Sequence, residues 1–117
     1  QLHARQKALL DEVVRQDLLS MIRAAQDQGA AVILSGYASS TKTAGPVIRS
    51  VADELDLPFV DQQADFDAAL APSEDTAHGD DMATWFVLDG HCTSAGYRRM
   101  ADNLLPIVED VSRTTRR

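Results

Sequence analysis

The chain has 117 residues, 44% of them hydrophobic and 5% aromatic, with 11 Lys and Arg against 18 Asp and Glu for a formal charge of −7. That length allows one domain and excludes two, and the acidic balance argues against a surface for nucleic acid or anionic membrane. No apolar run approaches the roughly 18 residues of a membrane span, and the lone Cys92 rules out an internal disulfide.

Residues 2–28 predict one amphipathic helix, because Leu10, Val13, Val14, Leu18, Met21, Ile22 and Ala25 recur three and four apart, with Gly29 as the stop. AAVILS, residues 30–35, is an apolar run too short for a helix and reads as a parallel strand covered on both faces. GYASSTKTAGP is loop by composition, and Pro46 opens a second helix whose apolar face is Val47, Ile48, Val51, Ala52 and Leu55, ended by Pro58. PFVDQ predicts a second short strand and QADFDAALA a short helix capped by Asp61. Residues 72–84, PSEDTAHGDDMAT, are the longest irregular stretch and suit the border of an active site or a mobile loop.

WFVL is expected to be extended. A last helix follows from about Thr93 to Ser112, capped by Thr93 or Ser94, with Met100, Leu104, Ile107, Val108 and Val111 as its buried stripe and a kink at Pro106. SRTTRR reads as a frayed basic tail.

The order α-β-α-β-α-loop-α implies parallel strands joined by right-handed crossovers. Helix faces this apolar need more sheet than two strands provide. The expected fold is therefore α/β, a three-layer α/β/α domain with a flavodoxin-like parallel sheet. Residues 1–117 would form the C-terminal portion of a single such domain, with its N-terminal strands before Gln1 and an unpaired sheet edge that favours association.

VLDGHCTSAGY, residues 87–97, places Asp89 and His91 two apart ahead of a helix start. An imidazole works as a general base near neutral pH when its tautomer and orientation are fixed, and a carboxylate on one ring nitrogen does both. Gly90 between them lets the backbone turn sharply, so that both side chains reach the same side. A loop at the edge of an α/β sheet is also where such folds hold their ligands.

DGHCTSAGYRRMADNL resembles the last conserved block of the SGNH (GDSL-type) hydrolase family, in which an Asp and a His precede a turn, a Gly and a helix. The order of AAVILSGY, the helix ending ADELDLPFVDQ, the short helix with Phe66 and the variable loop extends the likeness over nearly the whole chain. The resemblance implies a Ser-His-Asp esterase of acyl esters, small or carbohydrate-linked, with Asp89 as orienting acid and His91 as general base. It implies no cofactor and no metal.

The sequence departs from the family pattern in two ways. Many members carry Asp-x-x-His followed by Pro, where this chain has Asp-x-His followed by Cys92, and the GDS block and the Gly and Asn blocks of the oxyanion hole are not in these residues. Ser35, Ser39, Ser40, Ser73 and Ser94 lie in no G-x-S-x-G elbow and read as loop or cap residues.

Other readings are bland. Cys92 beside His91 is a packing thiol, and HGDD, with His78, Asp80 and Asp81, is a solvated loop without metal-ligand spacing. Trp85 and Phe86 belong to the core or wall an acyl pocket, and His3 is exposed. No G-x-G-x-x-G or P-loop points to a nucleotide. From other classes come a non-catalytic hydrolase-like module that binds a glycan or a protein, and a polysaccharide O-acetyltransferase of the same fold.

Overall fold

In the computed structural model, which describes residues 1–39, 43–74 and 79–115, the 26 residues Leu2–Asp27 form one uninterrupted helix, α1. It ends as its sequence dictates. Gly29 takes φ 80°, the Ala30 N–H returns to the Ala25 carbonyl at 3.0 Å and the Gly29 N–H to that of Gln26 at 2.9 Å, a Schellman closure built on the residue that adopts left-handed φ without strain.

Of the AAVILS run only Leu34–Ser35, β1, pairs as strand. Its partner is β2, Phe59–Val60, parallel and in the register Leu34 to Phe59 and Ser35 to Val60. Between them α2, Gly45–Leu55, carries Pro46 in its first turn and stops at Asp56, a non-glycine residue at φ 52°. There the Leu57 N–H reaches back to the Ala52 carbonyl at 2.9 Å, and the Leu57 side chain packs on the core.

That core is small. Ile22 of α1, Leu34 of β1, and Val51 and Ala52 of α2 are buried together, with Leu18, Leu19, Val32, Ile48, Leu57 and Phe59 packed around them. Arg15 of α1 pairs with Glu54 of α2 across its rim.

After β2, Asp61 caps α3, Gln62–Leu70, by accepting from the Ala64 N–H at 3.0 Å. A second cluster forms around fully buried Phe66, which meets Trp85 edge-on at 5.9 Å and Phe86 at 5.3 Å. The segment read as extended is different in detail. Met82–Trp85 make a short helical turn, α4, capped by the Asp81 carboxylate, and Phe86 alone bridges, antiparallel, to Cys92.

Helix α5, Ser94–Thr115, runs through Pro106, which has no N–H to offer the Asp102 carbonyl. Along its expected stripe Met100, Leu104, Ile107 and Val111 are half-buried, and Val108 is exposed.

The three-layer flavodoxin-like expectation fails. Helix makes up 67% of the described residues, and their only sheet is the β1–β2 pair, two residues per strand. The chain is a mostly helical small domain in which α1 covers α2 and the strand pair fills the seam between helices. Each pairing strand is two residues within its apolar run, because a ladder extends only as far as a partner offers matching backbone groups. Beyond Ser35 and Val60 the two segments diverge into a loop and a helix. The molecule is correspondingly open, 48 × 47 × 24 Å with a radius of gyration of 16.5 Å, against about 13 Å for a compact domain of this length. No helix among the described residues is long and apolar enough to cross a membrane.

Candidate functional site

Residues 86–92 fold into a tight hairpin. Phe86 and Cys92 bridge at its base, the Val87 N–H donates to the His91 carbonyl at 2.9 Å, and the Gly90 N–H closes a turn on the Val87 carbonyl at 3.0 Å. Gly90 sits at φ 84°, the conformation this reversal requires, and Leu88 stands wholly exposed at the tip.

The same turn brings Asp89 and His91 together. Asp89 Oδ1 accepts from the His91 backbone N–H at 3.1 Å and lies 2.8 Å from His91 Nδ1. One carboxylate oxygen thus holds both the backbone and the ring of the residue two places on, as Asp does in Asx-type turns. A proton on Nδ1 satisfies the contact and leaves Nε2 as the basic nitrogen. Both side chains are open to solvent, at 67% and 61% exposure, so the pair fixes an orientation and adds little stability.

His91 lines a depression of about 440 Å³ with Tyr37, Ala38, Ser39, Tyr97 and Met100. Its other wall is the segment that leaves the C-terminal end of β1. Ser39, 9% exposed, also borders a neighbouring depression of about 220 Å³ that contains Asp89, Phe86 and Leu70. The two hollows flank the hairpin.

Thr93 ties this hairpin to α5. Its N–H donates to the Trp85 carbonyl at 2.9 Å, its hydroxyl donates to the Thr84 carbonyl at 2.7 Å, and the hydroxyl oxygen accepts from the Gly96 N–H at 3.1 Å, which caps the helix. Gly96 has no room for a side chain, since a Cβ there would land on the Trp85 carbonyl oxygen.

Helix α5 is in turn clamped to α3 by polar groups. Arg99 forms a two-pronged pair with Asp65 at 2.6 and 2.9 Å, Asn103 donates to Asp65 at 2.8 Å and to Gln62 at 2.9 Å, and buried Gln62 donates to the Met100 carbonyl at 3.1 Å. The Arg99 guanidinium also lies 4.9 Å from the Trp85 ring centre. The hydrogen bond from Arg99 holds the Asp65 carboxyl below the usual carboxylate range; desolvation opposes it, the hydrogen bond from Asn103 adds to it, and the bond to Asp65 raises Arg99.

The other candidates resolve into structural roles. Cys92 Sγ rests 3.5 Å from Met100 Sδ, and burial pushes its thiol up, away from the thiolate a nucleophile needs. Asp80 accepts from the Trp85 indole N–H at 3.2 Å and Asp81 caps α4, while His78 and Ser40 lie outside the described residues. Among the described residues no group of three metal-ligand side chains occurs. Trp85 serves packing and the Arg99 contact, whereas Phe86 both packs on Phe66 and borders the hollow beside Asp89.

Asp61 caps α3 and pairs with Arg49 at 2.5 Å. Ser35, half-buried, accepts from Gln62 at 3.5 Å, Ser94 begins α5, and His3 is exposed on α1. Sequence reasoning passed over Gln62, Asp65, Arg99 and Asn103. Their only signal is the spacing 62/65 on one helix and 99/103 on another, which marks two faces without saying that they meet.

No protein-family model, no curated protein and no solved structure matches this chain.

Proposed function

We propose that Asp89 and His91 are the orienting acid and the general base of a serine hydrolase acting on acyl esters. The observation that carries this is the 2.8 Å contact between Asp89 Oδ1 and His91 Nδ1, with the ring on the edge of a hollow large enough for a small acyl group. The nucleophilic serine in this reading comes from outside the 117 residues.

His91 Nε2 takes the proton of the serine hydroxyl as its oxygen attacks the ester carbonyl. The imidazolium, stabilised by Asp89, then protonates the departing alcohol, and water repeats the cycle on the acyl-enzyme. Oxyanion donors are required from the same outside segment, because the pair alone supplies no stabilisation of the tetrahedral intermediate.

The test is fluorophosphonate labelling of the full polypeptide that carries these residues. His91→Ala is expected to slow labelling by about 10³-fold or more, and Asp89→Asn by a comparable factor through loss of the correct tautomer. Equal labelling of wild type and His91→Ala removes His91 as the base, and no labelling of either leaves a non-catalytic module.

A further inference from the structure

Helix α1 carries two apolar faces, and the fold uses one. Val14, Leu18, Ile22 and Ala25 turn toward α2 and the core. Leu2, Leu9, Leu10, Val13 and Met21 form a second stripe, between 57% and 69% exposed. At 3.6 residues per turn the two faces point about 120° apart, so no tilt of α1 on α2 covers both.

The second stripe exposes on the order of 500 Å², the size of the largest apolar patch of an ordinary monomer, which is often a functional surface. The sheet edges are weaker candidates, since strands of two residues offer few backbone groups to a partner.

We infer that this stripe is the interface of a homodimer in which α1 packs antiparallel against α1 of a second copy. Three features favour a second copy. First, the stripe is self-complementary on reversal. A twofold axis between residues 11 and 12 sets Leu10 against Val13 and Leu2 against Met21 of the other copy, and the apolar side chains cluster at its centre.

Second, the charges are arranged for reversal. Residues 2–10 contain Arg5 and Lys7 and no acid, whereas residues 11–17 contain Asp11, Glu12 and Asp17 against Arg15. Lys7 pairs with Asp11 and Arg15 with Glu54 inside one copy, while Arg5 and Asp17 make no ion pair among the described residues. The antiparallel register sets the Asp17 of one copy opposite Gln6 of the other, one residue from Arg5, and it also opposes the helix dipoles. Third, two such stripes face to face remove roughly 1,000 Å², the lower bound for a specific interface.

Sedimentation equilibrium of the full polypeptide that carries these residues, between about 5 and 500 µM, tests this. The expected mass at the upper end is twice that of one copy. Leu9→Gln with Val13→Gln, both at exposed positions, is expected to raise the dissociation constant at least tenfold with an unchanged far-ultraviolet circular dichroism spectrum. Should that pair lose helicity, Leu10→Gln alone gives the same reading. Arg5→Glu is expected to weaken the dimer, and adding Asp17→Lys to restore it. A monomer over the whole range overturns the inference and assigns the stripe to a different protein. A dimer indifferent to Leu9 and Val13, or a charge swap without rescue, overturns it as well.

Discussion

Asp56 shows how a single residue is held in a conformation its side chain disfavours. Its φ of 52° is set by the Schellman-type return of Leu57 to Ala52, which seats the Leu57 side chain in the core. A left-handed φ costs a non-glycine residue on the order of 1 kcal/mol, and glycine removes that strain while losing more entropy on folding. Asp56→Gly is therefore expected to stabilise by about 0.5 kcal/mol, read as a higher urea midpoint at unchanged slope. Thr93 is the opposite case, a residue whose side chain has two duties. Thr93→Ala loses both the cap on Gly96 and the bond to the Thr84 carbonyl and is expected to lower stability by about 1–2 kcal/mol, while Thr93→Ser retains most of it.

Among the elements, the joint between α3 and α5 rests on charge where most helix pairs rest on hydrocarbon. Asp65 is about one-third exposed, so its pair with Arg99 contributes less than a buried one would. Because its carboxyl is depressed below 3.8, the stabilisation is present above the unfolded value and is lost as pH falls through the folded one. The stability gap between wild type and Asp65→Asn is expected to be full near neutral pH and to close below about pH 4, as urea melts at several pH values would show. A gap that persists to pH 2 would mean that the joint depends on shape rather than on ionisation.

These elements also show what could be read in advance. The starts of α2 and α3 and the end of α1 follow from Pro46, the Asp61 cap and Gly29, all local signals, whereas α2 stops at Leu55 ahead of Pro58 and α5 runs on to Thr115 through residues read as a frayed tail. The sheet does not, because a strand is completed by a partner elsewhere in the chain, and AAVILS reads the same whether two or six of its residues pair. The contact between Asp89 and His91 is legible in the sequence because Gly90 stands between them. The Gln62, Asp65, Arg99 and Asn103 joint is not, since residues 34 to 41 places apart meet through tertiary packing.

At the scale of the whole molecule, the flat outline and long radius of gyration go with a core of few residues and with large side chains left in solvent on α1, α5 and the hairpin tip. In a chain of this length that buries so little, the caps and the polar joint weigh more in the balance than they would beside a larger core. The Asp89–His91 pair stands apart from that economy. One carboxylate oxygen seizes the amide and the imidazole of the residue two places on, so this contact is made within Asp-Gly-His. The Val87–His91 and Phe86–Cys92 pairings close the turn that presents it, and the rest of the molecule decides toward what the ring is offered.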